Sequence, residues 1–328
     1  MTEGKGFSHF LELPPKLRMM MINKMEPEER CRLTGCSKSS NKEAKTSKNY
    51  IHGLTFKSFG IHLFIHVIHG ISIGSDDEPE SRGFILRFEK DEDEDNHNQY
   101  MKCINFRDDV LWMTEINSSE NLFQFAFEHF KSLLQMYQKI VKELKIYVKD
   151  SIVEQCDIDF GTTSLKNLKE LAVYDDIDIR QFLSKTVKGL ERLTVSEQRN
   201  GKINEGCDEI YQVNEELEAP HTQLNNQQFL RLSAPEIYIH IGQLTEHDIF
   251  NFVQSWQNDT IGKKVKRYRW NLQDSNFNVG KMFELFGEEH VDSDEVEIKH
   301  NIETDKRALL VYSPVRWLSR TIFFEEIC

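Results

Sequence analysis

The chain has 328 residues, is 39% hydrophobic and 29% charged, and carries 22 Phe but only 7 Pro. That composition excludes an intrinsically disordered chain and predicts a soluble globular protein of one large or two ordinary domains. Net charge is −13, which argues against general nucleic-acid binding, because neutralising phosphates requires a cationic face. The six cysteines (Cys31, Cys36, Cys103, Cys156, Cys207 and Cys328) include no C-x-x-C pair and read as free thiols of a reducing compartment. The polar Met1–Ser8 stretch lacks a secretory h-region, and Cys328 does not fit a prenylation signal. The most apolar run, 61–73, holds three histidines and is shorter than the roughly 20 residues of a bilayer span. The expected location is cytoplasmic, nuclear or both.

Charge is unevenly distributed. Residues 1–50 hold 10 basic and 6 acidic residues, whereas the other 278 hold 31 basic and 48 acidic. A basic N-terminal module on an acidic body suggests two functional parts.

In the N-terminal module, Leu13-Pro14-Pro15 predicts a helix start, since proline at the first helical position gives up no hydrogen bond. Leu17, Met20, Met21 and Met25, widened by Ile22, form one apolar helix face. Glu26-Pro27-Glu28 predicts a break and a second helix with Cys31, Leu33 and Cys36 as apolar positions; Ser37 predicts the N-cap of a third, running toward Tyr50. Three such short helices make a core too small to stand alone.

Residues 54–106 read as β, with alternating apolar positions at 61–67, 84–88 and 101–106 and acidic loops between them. Asn121–Gln138 predicts a strongly amphipathic helix with Leu122, Phe125, Ala126, Phe130, Leu133, Leu134 and Tyr137 on one face. A weak repeat follows. Leu144, Leu171, Leu193, Ile237 and Tyr268 sit at equivalent positions of short strand-like pieces, separated by 27, 22, 44 and 31 residues. Helix-like pieces such as 179–187 and 245–256 lie between them, a format like that of leucine-rich repeats without their asparagine position.

Two resemblances follow from these residues. Phe10-Leu11-Glu12-Leu13-Pro14-Pro15-Lys16-Leu17, Ile22, Met25-Glu26-Pro27, Leu33 and Cys36-Ser37-Lys38 together resemble an F-box. Leu111-Trp112 with the 121–137 helix, Thr245–Trp256 with the basic strand 264–270, and the pair 297–300 and 307–311 resemble the F-box-associated domain of the large nematode F-box families. The sequence departs from that family at Thr304-Asp305-Lys306-Arg307, where the last hairpin usually turns on Asp-Gly, and in a long stretch between Glu197 and Gln228. The expected fold class is therefore mixed α/β: a three-helix F-box at 8–50, then an F-box-associated domain at 51–328 of strand–helix units like leucine-rich repeats with some antiparallel hairpins. The resemblance implies a non-catalytic substrate receptor of a Skp–cullin–F-box ubiquitin ligase, acting in ubiquitin-dependent degradation. Its partners would be a Skp-family adaptor, cullin through that adaptor, and an unknown protein substrate. The adaptor would be met by Leu13, Pro14, Leu17, Met21, Ile22, Met25, Leu33 and Ser37. The other reading is an interaction scaffold that recruits no ligase.

Other constellations point to no chemistry. His62, His66 and His69 would share a helix face, but their segment alternates as a strand, which sets His69 on the other face from His62 and His66. Asp91, Asp93 and Asp95 open like an EF-hand loop, yet Asn96 replaces its glycine and Lys102 its closing glutamate. Lys263, Lys264, Lys266, Arg267 and Arg269 interleave with Tyr268 and Trp270 as in a single-strand-binding platform, but strand alternation explains them more simply. The acidic pairs Asp157/Asp159 and Asp175/Asp176/Asp178 read as solvated loops, and no motif of nucleophilic, phosphate-binding or dinucleotide chemistry occurs. The sequence predicts no cofactor, no metal and no active site.

Overall fold

A computed structural model describes residues 13–25, 29, 51–59, 62–73, 79–90, 98–105, 109–116, 121–137, 141–148, 165–174, 180–186, 189–196, 210, 212–261, 264–273, 275–287, 295–299, 306–313 and 320–327. The chain divides into two compact units, Met1–Leu168 and Lys169–Cys328.

In the first unit, helix α1 (Pro15–Lys24) precedes β1 (Gly53–Phe59), β2 (His62–Ile73), β3 (Pro79–Lys90), β4 (Gln99–Asn105), β5 (Val110–Ile116), helix α2 (Leu122–Tyr137) and β6 (Glu143–Val148). The sheet order is β6-β1-β2-β3-β4-β5. Strands β1 to β5 form an antiparallel meander, and β6 joins β1 in parallel, which requires the crossover that α2 supplies. Alternation divides the sheet's faces. Leu54, Phe56, Leu63, Ile65, Val67, Phe84, Leu86 and Phe88 are buried, while Lys57, Phe64, His66, Ile85 and Arg87 lie on the opposite face. Helix α2 covers the buried face. Phe56 meets the rings of Phe123, Phe127 and Phe130 at 5.8, 5.5 and 5.2 Å, and Phe88 meets Phe125 and His129 at 6.1 Å each.

The second unit contains β7 (Glu170–Tyr174), α3 (Arg180–Leu183), β8 (Arg192–Ser196), β9 (Glu216–Gln223), α4 (Asn226–Arg231), β10 (Glu236–His240), α5 (Glu246–Gln257), β11 (Arg267–Asn271), α6 (Val279–Leu285), β12 (Glu295–Lys299), β13 (Arg307–Ser313) and β14 (Thr321–Ile327). Its sheet order is β12-β13-β14-β11-β10-β9-β8-β7. Strands β7 to β11 are parallel, and β14, β13 and β12 add an antiparallel block beside β11.

Register makes one buried row of Leu171, Leu193, Leu217, Ile237, Tyr268 and Phe324. The 44-residue step between Leu193 and Ile237 is thus two steps, with Leu217 between them. Pro220 hides that strand in the sequence, because proline cannot donate to a ladder. The structure seats it where the β9–β10 register shifts, after Ala219, and its carbonyl accepts from Asn271 Nδ2 at 3.0 Å. A second aromatic core lies under α5: Phe252 stacks on Tyr268 at 4.9 Å and meets Phe229, Phe324 and Trp270 at 5.3, 5.7 and 5.8 Å.

The expected fold class is corrected by this architecture. The described residues are dominated by fourteen strands in mixed sheets with few, mostly short helices, not by a three-helix module followed by strand–helix repeats. Of the helices expected between repeat strands, 245–256 forms α5, whereas among the described residues of 179–187 only the four of α3 are helical. Antiparallel pairing builds the meander and the closing block, where a repeat would have propagated parallel strands. The N-terminal module contributes one described helix, α1; of the expected second helix only Glu29 is described, in helical conformation, and the expected third lies outside the described residues.

Candidate protein-binding site

Helix α1 begins where the sequence places it. Pro14, at φ −54° and ψ 142°, precedes Pro15 in the first turn, and the Pro14 carbonyl accepts from the N–H groups of Leu17 and Arg18 at 2.9 and 3.1 Å. Arg18 also donates through Nη1 to the Leu13 carbonyl at 2.7 Å, tying the extended lead-in to the helix. The last turn closes with the Met25 N–H donating to Met21 and Ile22 carbonyls, and Lys24 sits there to oppose the negative end of the helix.

The apolar face expected from spacing is wider than its cover. Ile22 and Met25 are buried, and Leu13 packs against them. Leu17, Met20 and Met21, spaced i, i+3 and i+4, stay 47%, 51% and 43% exposed. Of the residues expected to meet an adaptor, Leu13, Ile22 and Met25 therefore serve this chain's own packing. Pro14, Leu17 and Met21 face solvent, and Leu33 and Ser37 lie outside the described residues. Met20, part of the apolar stripe but not among the expected contacts, is 51% exposed, the most among the described apolar side chains of the helix.

The remaining constellations resolve by strand geometry. His62 is exposed on β2, while His66 is held down to about 4 by burial and by nearby Lys57. Among the described residues no group of three or more His, Cys, Asp or Glu side chains could hold a metal ion. Tyr268 and Trp270 are fully buried, leaving no ring of that basic strand to stack on a base, and Arg269 lies over the Tyr238 ring at 4.7 Å. Asp91, Asp93, Asp95, the Asp157 and Asp175 groups, Lys263 and the turn at 300–305 lie outside the described residues. Cys103 is buried and forms no disulfide. No described helix is long and apolar enough to cross a membrane.

No protein-family model matches the chain, and neither the curated proteins nor the solved structures contain a detectable relative.

Proposed function

We propose that this protein is the substrate-receptor subunit of a Skp–cullin–F-box ubiquitin ligase. Helix α1 docks a Skp-family adaptor, and through it cullin, while the body of the chain holds a protein substrate. The observation that carries this reading is the row Leu17, Met20 and Met21, three large apolar side chains left in water on a helix that buries Ile22. Side chains of that kind gain free energy only when a partner covers them. The F-box resemblance of the same residues supplies the partner's identity. The receptor does no chemistry; it raises the local concentration of its substrate beside the ubiquitin-transferring machinery. Such a subunit works in the cytoplasm, the nucleus or both.

Co-expression with a Skp-family adaptor and size-exclusion co-elution tests the reading. The full chain co-elutes 1:1, and the Leu13→Ala/Pro14→Ala chain, which loses the fixed helix start, co-elutes weakly. A well-folded wild type that elutes alone refutes the ligase reading and favours an interaction scaffold outside ubiquitination.

A further inference from the structure

The face of the second sheet opposite α5 carries a charge that the chain does not balance. Tyr268, Trp270 and Phe324 pack against α5, so by alternation Arg269 and Phe323 lie on the other face. Register sets Thr194, Glu218, Tyr238, Arg269, Phe323 and Val311 there in one half-buried row across β8, β9, β10, β11, β14 and β13. Arg269 stands between two aromatic residues, its guanidinium 4.7 Å from the centre of the Tyr238 ring. Among the described residues no group accepts a hydrogen bond from it or forms an ion pair with it, and its Nε is buried. The two carboxylates diagonal to it, Glu236 and Glu325, are held by Arg267 at 4.0 and 2.5 Å. Asn271, next on the same face of β11, donates to the Pro220 carbonyl and accepts from the Gln273 N–H. A guanidinium stacked on a ring keeps its edge donors available, and a buried donor left unpaired costs free energy that an incoming acceptor recovers.

We infer that Arg269 anchors an aspartate or glutamate side chain of an extended segment of the protein substrate, laid across this row with Tyr238 and Phe323 as its floor. That the occupant is a protein substrate rests on the receptor reading; that it is acidic rests on Arg269. One unpaired guanidinium balances one negative charge, and its planar fork matches a carboxylate. A phosphate monoester, carrying about two charges, would need a second unpaired cation, and the neighbouring Lys266 and Arg267 already pair with Glu236 and Glu325. Glu218, beyond Tyr238 and without an ion pair among the described residues, orients the segment. It lies two strands from Arg269, roughly 10 Å, a distance that about three residues of extended chain span, so a lysine or arginine belongs about three positions from the acid. Arginine and tyrosine side by side are the residue types that dominate the energetic centres of protein interfaces.

Selection of phage-displayed random peptides on the purified full chain, with no adaptor present, tests this. The wild type enriches peptides with aspartate or glutamate at one fixed position and lysine or arginine about three residues away. Arg269→Met loses the acidic preference and binds the best enriched peptide roughly 10-fold or more weakly by fluorescence anisotropy. Arg269→Glu selects a basic residue where the wild type selects an acidic one. Because no described group accepts from Arg269, Arg269→Met melts no lower than the wild type, which separates lost recognition from lost folding. No enrichment, enrichment without an acidic position, an acidic preference that survives Arg269→Met, or a marked fall in that variant's melting temperature overturns the proposal. Such a failure leaves the role of α1 standing, and an α1 that binds no adaptor leaves the peptide result standing.

Discussion

Removing the ring of Phe252 tests how the second unit is held together. Phe252 is 1% exposed on α5 and touches rings from α4, β11 and β14, so truncation to alanine leaves a cavity that three elements would have to close together. Full loss of a buried Phe costs about 3–5 kcal/mol, and the stacked and edge contacts place this site in the upper half of that range. Phe250, two residues earlier, is the internal control. It is half-buried on the other side of the helix, with Phe286 at 5.0 Å, and its truncation costs about 1 kcal/mol. Urea unfolding followed by tryptophan fluorescence reads the difference, since Trp256 and Trp270 lie in this core. With a slope of about 2–3 kcal/mol per M, Phe252→Ala moves the midpoint down by about 1.5 M and Phe250→Ala by less than about 0.5 M. Equal shifts for the two variants would refute the core assignment.

Other consequences follow from local geometry. Thr245→Ala removes half of a capping box, in which Thr245 Oγ1 accepts from the Asp248 N–H at 3.3 Å and Asp248 Oδ2 accepts from the Thr245 N–H at 2.8 Å; chemical denaturation should show a loss of about 1 kcal/mol. Gly242 has φ +52°, and an added Cβ would meet Gln223 Cβ at 2.8 Å, so Gly242→Ala should cost about 2 kcal/mol, whereas Gly287→Ala, at φ +87° with open space around it, should cost only the backbone strain of about 1 kcal/mol. The imidazole of His129 is held down to about 4 by burial among Phe88 and Phe125, below its ordinary 6.5, so the unfolded chain takes the proton first. Stability contributed by the neutral ring is therefore present above pH 6.5 and lost as pH falls through 4, by up to about 3 kcal/mol. Melting at pH 7 and pH 4.5 should show a smaller acid loss for His129→Phe than for wild type, the paired carboxylates being common to both.

Local pattern made the elements legible and left their assembly hidden. Alternation located β2, β3 and β4, and the stripe from Leu122 to Tyr137 located α2, because a single buried face imposes a period that a sequence cannot disguise. Leu171, Leu193, Ile237 and Tyr268 align by pattern and do share one row, whereas Leu217, with Pro220 three residues on, carries no such strand signal. The repeat reading failed on connections. Among the described residues of 179–187 only Arg180–Leu183 form helix, with Phe182 and Leu183 buried, and so short a piece is costly to nucleate without a longer packed face. At α1 the spacing of apolar residues was visible while their division was not. Which of Leu17, Met20, Met21, Ile22 and Met25 are covered depends on neighbours that helical periodicity does not encode. Strand β5 is not legible in the sequence, because its exposed apolar residues break the alternation that marks a half-buried strand.

The most direct test of the account is the affinity of the full chain for a purified Skp-family adaptor, by titration calorimetry, for wild type and Leu17→Glu/Met21→Glu. Both side chains are about half exposed, so covering them contributes about 1 kcal/mol each, and a carboxylate at either place adds a desolvation cost of similar size. The account predicts tight binding by the wild type and a weakening of roughly 100-fold or more in the variant, with an unchanged melting temperature. A wild type that gives no heat of binding, or a variant that binds as tightly, would contradict the claim that α1 is where this protein meets its ligase.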